Sequence, residues 1–249
     1  MSAKYLRPLK RGQIKLVTFD FGRTLAGIDH LALSRMISHY FERTVTPAQV
    51  LKAEQRHMLR ESGFKMEPNA KVPIPQNAYE FYADIVTDCF GLAPEQLNGR
   101  FAEFAVQANR FHEQQNWYSM LLPGSVECLD MLQSKVPLGV ISNANGNLER
   151  DLPRLGIRHY FDFVIDSGVE GVCKPNPEIF RRALAKADTP PDRAIHIGDD
   201  PKADAQGALD AGMHAIQYDS PGLFAKKKIL GARYCRNLVS AAEHLLRFI

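Results

Sequence analysis

The sequence contains no apolar run approaching the roughly 18–20 residues of a membrane-spanning helix, so no membrane partner is expected. Cysteine is scarce. The four present, Cys89, Cys128, Cys173 and Cys235, are scattered and form no CxxC pair. That argues against a disulfide framework or a zinc site and makes a reducing compartment the default. Neither sign of charge dominates: the formal net charge is +3, with acids and bases interspersed. Such a balance gives no electrostatic footprint for nucleic acid, and Lys226-Lys227-Lys228 reads as a solvated turn or helix start. Met1 to Gly12 is basic but lacks the apolar stretch of a secretory signal. Internal repeats and low-complexity segments are missing too. The expectation is a soluble cytoplasmic protein, a monomer or homodimer, that partners neither nucleic acid nor membrane.

What is present is a chain of 249 residues, 45% hydrophobic and 24% charged, enough to bury a sizeable core as one domain or as a core with an insertion. Residues 14–20, Ile-Lys-Leu-Val-Thr-Phe-Asp, make a short apolar run that suits one buried strand and ends on an aspartate. From about residue 27 to 119 the pattern turns helical. Leu31, Leu33, Met36, Ile37, Tyr40 and Phe41 recur at helical spacing, and Thr46-Pro47 reads as an N-cap with proline in the first turn of a helix running to about Ser62. A proline-rich loop, Pro68 to Pro75, precedes helices over about 76–90 and 94–114. After Leu122-Pro123-Gly124, helices and strands alternate. Helices are expected over 125–133, 148–155, 177–186, 202–211 and 238–248, and strands over 137–142, 161–166, 194–197 and 214–218. Alternation at this spacing predicts a Rossmann-like, doubly wound parallel sheet. The α/β core is expected over 1–26 and 120–249, with a helical domain inserted over 27–119.

Polar residues close four of these segments: Asp20; Ser142-Asn143; Lys174-Pro175-Asn176-Pro177; and Gly198-Asp199-Asp200 continuing through Asp204. Carboxylates at the C-terminal ends of parallel strands sit where open α/β sheets bind ligands. An acidic cluster facing another carboxylate needs a cation, and Mg²⁺ suits a site of carboxylates, waters and substrate phosphate. Thr24, Ser142 and Lys174 supply donors for an oxyanion such as phosphate, and aspartate is an established phosphoryl acceptor.

These four clusters, in order, resemble the motifs of the haloacid dehalogenase-like (HAD) hydrolase superfamily, most of whose members are Mg²⁺-dependent phosphatases. The resemblance spans essentially the whole chain and rests on Phe19-Asp20-Phe21-Gly22-Arg23-Thr24-Leu25, Val140-Ile141-Ser142-Asn143, Lys174-Pro175-Asn176-Pro177-Glu178-Ile179-Phe180 and His196-Ile197-Gly198-Asp199-Asp200 through Asp204. It implies a small phosphorylated metabolite as substrate and a C1-type helical cap that selects it. Asp20 is then both nucleophile and metal ligand. Asp199 is a metal-binding carboxylate, Asp204 supports the metal through water, and Asp200 shares or replaces the role of Asp199. The Gly22 backbone carbonyl completes the metal site. Ser142 and Lys174 bind phosphate, with Thr24 and Asn143 beside them.

One position departs from the resemblance. Two residues after the nucleophile, family phosphatases carry a second aspartate as general acid and base, and this chain has Gly22. Loss of such a group costs roughly 10²–10⁴ in rate. Arg23 is suited to an oxyanion but cannot act as a base. Two alternatives therefore stand beside a phosphatase: a phosphonatase- or dehalogenase-type relative, and a phospho-ligand-binding regulator. In the helical region, Arg56, His57, Arg60, Lys65 and Lys71 read first as solvated residues. Phe101, Phe104 and Phe111 read as core, Trp117 and Tyr118 as hinge packing, and His196 as a satisfied core histidine.

Overall fold

A computed structural model describes residues 9–61, 75–97 and 99–249. The chain divides into two compact units, Met1–Gly27 with Tyr118–Ile249, and Ile28–Trp117. The first strand, β1 (Leu16–Phe19), is buried along its whole length. It ends in a tight turn where the Phe21 carbonyl accepts from both Leu25 N (2.9 Å) and Ala26 N (3.0 Å). That turn leads into β2 (Ala26–Ile28).

The helical unit follows. Asp29 caps α1 (His30–Phe41) by accepting from Ala32 N. Thr46 and Gln49 cap α2 (Pro47–Glu61) reciprocally: Gln49 N donates to Thr46 Oγ1 at 3.3 Å, and Thr46 N to Gln49 Oε1 at 2.9 Å. The third helix, α3 (Gln76–Phe90), stops at a left-handed Gly91. Instead of one helix over 94–114, a 3₁₀ turn at Pro94–Gln96 precedes α4 (Arg100–Gln115), because Gly99 is left-handed, at φ +73°, and interrupts the helical path. Edge-to-face rings hold the unit together, with Phe104 5.3 Å from Phe41 and 5.9 Å from Tyr82. Trp117 stacks on Phe111 at 4.2 Å and donates its indole N–H to the Tyr82 hydroxyl. The proline-rich segment up to Ile74, with Ser62, Lys65 and Lys71, lies outside the described residues.

The chain then re-enters the α/β unit through β3 (Tyr118–Leu121), which pairs with β2 as a two-stranded ribbon. In order come α5 (Ser125–Gln133), β4 (Leu138–Ser142), α6 (Leu148–Arg154), β5 (Phe163–Asp166), the short α7 (Ser167–Glu170), α8 (Pro177–Lys186) and β6 (Ala194–Gly198). A π-helical stretch, Pro201–Gln206, runs into α9 (Gly207–Asp210). It is followed by β7 (His214–Tyr218), β8 (Arg233–Cys235) and α10 (Leu238–Leu245). The main sheet has six strands in the order β5-β4-β1-β6-β7-β8. All its pairings are parallel. Side chains alternate between its faces with the two-residue period of a strand. Val17, Phe19, Val140 and Ile197 pack toward α5, α6 and α10. Leu16, Ile141 and Ala194 pack toward α8 and α9. No helix of the described residues is long and apolar enough to cross a membrane.

Successive connections run outward from β1 in both directions, so the order reverses at this central strand, and ligand crevices in open α/β sheets form at such a reversal. The ends of β4, β1 and β6 lie side by side there, with neighbouring strands about 4.8 Å apart.

Candidate active site

Asp20 is the first residue past β1, buried at 7% exposure. Its Oδ1 accepts from two side chains: Ser142 Oγ, at the end of β4, at 2.8 Å, and Lys174 Nζ at 2.6 Å. The ammonium of Lys174 has three acceptors, which matches its three protons: Asp20, the Ile141 carbonyl at 2.7 Å and Asp204 Oδ1 at 2.5 Å.

Lys174 lies in the loop before α8, and Asn143 fixes its backbone. The Asn143 amide donates to the Lys174 carbonyl (2.9 Å) and accepts from its N–H (2.7 Å). Asn176 then caps α8 by accepting from Glu178 N. Asp204 belongs to the π-helical stretch after β6, a widened turn of a kind often found at functional sites. Its carboxylate packs directly on Gly198, where an added Cβ would fall only 2.2 Å from Asp204 Cγ. Its Oδ2 accepts from Asp200 N at 2.9 Å. His196, side by side with Thr18 across the β1–β6 pairing, faces Asp204 Oδ1 with Nε2 at 3.1 Å and Thr18 Oγ1 with Nδ1 at 2.9 Å. The acceptor-only carboxylate places the ring proton on Nε2, so Thr18 donates to Nδ1.

Oxygens of Asp20, Asp199 and Asp204 all lie within 4.8 Å of one another. The three carboxylates meet one ammonium, Lys174, which pairs with Asp20 and Asp204, while the charge of Arg23 acts on Asp199. Burial, reinforced by Asp204 and opposed by Lys174, holds the Asp20 carboxyl above its ordinary value. Burial together with Asp20 and Asp204 pushes Asp199 well above the carboxylate range, against a partial offset from the Arg23 charge. For Asp204, burial pulls upward, but Lys174 and His196 outweigh it and hold the carboxyl low. Burial likewise opposes the Lys174 charge, yet Asp20 and Asp204 keep its ammonium more firmly protonated than usual. Burial lowers His196 and keeps the imidazole neutral. An oxygen-only donor set with unrelieved negative charge is the chemistry a hard divalent cation fits.

The structure therefore brings Asp20, Ser142, Lys174, Asp199 and Asp204 into one constellation. The remaining expected residues stand one step out. Thr24 is fully buried and leans its hydroxyl on Asp199 Oδ1 at 3.4 Å. Asn143 braces the Lys174 backbone. Asp200 is occupied as an N-cap, its Oδ1 accepting from Lys202 N and Ala203 N, both at 2.7 Å. Gly22 lies in the turn beyond Asp20, where its backbone forms a bridge with Ala26. His196 is a satisfied core histidine as expected, but the group that satisfies it is a site carboxylate. Thr18 escaped the sequence reading, and Tyr118 was read there as hinge packing and not as a neighbour of the motif. Thr18 was discoverable only through strand register. Tyr118, whose ring lies over Gly22, came from a part of the chain far from the motif.

Comparison with known proteins identifies the family. Residues 14–212 match the haloacid dehalogenase-like hydrolase family. The chain is 31% identical over 221 residues to human haloacid dehalogenase-like hydrolase domain-containing protein 3, covering 85% of this chain and 84% of that protein. It is 28% identical over 217 residues to the Escherichia coli 5-amino-6-(5-phospho-D-ribitylamino)uracil phosphatase YigB, covering 85% of each. Its fold is similar to that of the Bacillus subtilis HAD-hydrolase YfnB, with a TM-score of 0.66 at 18% identity, over 95% of this chain and 99% of that one.

Proposed function

The chain belongs to the haloacid dehalogenase-like hydrolases, and on that premise we propose that it is a Mg²⁺-dependent phosphatase of a small phosphorylated metabolite, working through an aspartyl-phosphate on Asp20. The observation that carries the proposal is the Asp20 carboxylate itself. It is buried at the strand reversal, held on Oδ1 by Ser142 and Lys174, and set within reach of two further carboxylates. YigB, alike over most of its length, is named as a phosphatase.

Both donors engage Oδ1, which leaves Oδ2 to attack phosphorus. The P–O bond to the leaving group breaks with its electron pair on the departing oxygen, which takes a proton from water. Ser142 and Lys174 then donate to the oxygens of the phosphoryl group. Water attacks the phosphorus of the aspartyl-phosphate, loses a proton to solvent, and releases inorganic phosphate and the Asp20 carboxylate. Mg²⁺ would be held by Asp20, Asp199 and the Gly22 carbonyl, with Asp204 supporting it through water. When bound, the ion neutralises carboxylate charge so that a phosphate dianion can approach. Asp199 is assigned this role over Asp200 because the Asp200 carboxylate already caps a helix. The helical unit, inserted directly after the first motif, is assigned as a C1-type cap that selects the substrate.

The test is turnover of an activated aryl phosphate with and without Mg²⁺, for the wild type and for Asp20→Asn. Hydrolysis that needs both the metal and Asp20 supports the assignment. Equal turnover by Asp20→Asn, or none by either protein, overturns it. Phosphate-dependent thermal stabilisation without turnover would move the chain to the ligand-binding reading that Gly22 motivates.

A further inference from the structure

The turn after Asp20 offers no side chain at position 22, and the structure shows what occupies that space. A Cβ built on Gly22 would meet the Tyr118 ring at Cε1 (3.1 Å), Cζ (3.3 Å) and Cδ1 (3.4 Å). Phe21 is buried in the apolar core, and Gly22 follows it in the turn two residues after Asp20. The ring edge nearest Gly22 includes the carbon that bears the phenol hydroxyl. Tyr118 is half-buried and mounted on the β2–β3 ribbon, not on a free loop.

The Arg23 guanidinium lies over the same ring, 5.8 Å from its centroid. The ring lies over Gly22, two residues along the chain from Asp20, and the charge of Arg23 also acts on the buried Asp199 carboxylate. Arg23 reaches this position with a left-handed backbone, φ +59°. A left-handed backbone is unfavourable for a residue other than glycine, and such outliers cluster at functional sites.

Resting on the phosphatase assignment above, we propose that Tyr118 is the leaving-group contact of this enzyme: its hydroxyl donates a hydrogen bond to the oxygen that departs from phosphorus, with Arg23 polarising the phenol. The oxygen gains negative charge as the P–O bond breaks, and a fixed donor aimed at it stabilises the transition state more than the ground state. The proton that completes the alcohol still comes from water, so the phenol assists without being consumed. The contact matters most for poor leaving groups, which carry the most charge at the transition state. The glycine is then the condition for the tyrosine: any side chain at position 22 competes for the same space.

The experiment is a series of aryl and alkyl phosphate monoesters assayed with Mg²⁺ for the wild type, Tyr118→Phe, Gly22→Asp and the double variant Gly22→Asp/Tyr118→Ala. Tyr118→Phe keeps the ring over Gly22 and removes only the hydroxyl. We expect kcat on alkyl esters to fall about 10²-fold, in line with losing one oxyanion donor, with a much smaller fall on activated aryl esters and little change in KM. The slope of log kcat against leaving-group pKa then steepens. Gly22→Asp alone is expected to lower Tm, and the double variant to recover alkyl turnover by placing a carboxyl in the vacated space. An unchanged slope in Tyr118→Phe overturns the inference while wild-type aryl turnover keeps the phosphatase assignment standing. Absence of wild-type turnover on every ester overturns both.

Discussion

Two clusters of charge in this molecule look alike by distance and differ in kind. In the α/β unit, Lys174 reaches Asp20 and Asp204 at 2.6 and 2.5 Å. In the helical unit, Arg60 reaches Asp84 and Asp88 at 3.0 and 2.8 Å, and Arg56 adds a longer contact to Asp88. The Lys174 side chain is 2% exposed and that of Arg60 45%. A buried ion pair forfeits hydration and persists only with several compensating bonds, whereas an exposed pair contributes roughly 0–1 kcal/mol. The sheet-edge cluster is therefore costly to maintain, and costly charge marks chemistry. The helical ladder is what surface helices carry without a task.

The largest effect expected is on activity. Asp20→Asn should retain the fold and lose at least about 10³-fold in kcat, as removal of a nucleophile does. Retained turnover would place the reacting group elsewhere. Next comes stability. Lys174→Met strands Asp20 and Asp204 without their shared cation, and loss of one partner from a buried pair costs about 3–5 kcal/mol. Urea denaturation reads this directly, and a loss below about 1 kcal/mol would mean the cluster is better hydrated than its burial implies.

The third effect has the opposite sign. Asp199 is held well above the carboxylate range by burial, Asp20 and Asp204, so it binds its proton more tightly folded than unfolded. Such a group costs nothing below the ordinary carboxylate range near pH 4, and it costs more as pH rises through its folded value. Asp199→Asn should therefore raise the Tm of the metal-free protein at pH 8, with the gain shrinking toward pH 4. On the proposed metal site, Mg²⁺ should raise the Tm of the wild type, and Asp199→Asn should abolish that increase. A lower Tm in metal-free Asp199→Asn would show that the carboxylate repulsion is already relieved.

Sequence alone carried far in the α/β unit because strand ends there are defined by apolar runs that stop at a polar residue. Asp20, Ser142 and Asp199 follow β1, β4 and β6 or close them, and the parallel order brings those ends together. Three things were not legible. β2 and β8 are three residues long, too short for a periodicity to declare itself, and β3, with Ser119 and Met120 exposed at its centre, presents no apolar run. Asp199 and Asp200 are adjacent and chemically identical, and only the direction of the backbone turns one toward Asp20 and the other into a helix cap. Tyr118 meets Gly22 through tertiary packing, which no local pattern encodes. His196 lay between these cases: its burial was readable from an apolar strand, and its partner Asp204 required the π-helical turn that follows.

The smallest effect sharpens the contrast best, because ionic strength separates the two clusters. Arg60→Ala removes two exposed contacts but leaves no carboxylate stranded. Asp84 still accepts from His57 Nδ1 at 2.8 Å, and Asp88 still faces Arg56 at 3.4 Å. The expected loss is under about 1 kcal/mol in dilute buffer. Near 1 M salt the Debye length shrinks to about 3 Å, so the loss should vanish there, because the charges it involves are already screened by solvent ions. The Lys174 side chain is 2% exposed, so bulk salt screens its pairs far less than those of Arg60, and most of the Lys174→Met deficit should persist in the same salt. If salt erased both deficits, the Lys174 cluster would be as open to solvent as the Arg60 ladder, and the burial that raises Asp20 and Asp199 would not hold. If it erased neither, the Arg60 ladder would be holding α2 against α3 by packing of its side-chain stem, and charge would not be what distinguishes the two regions.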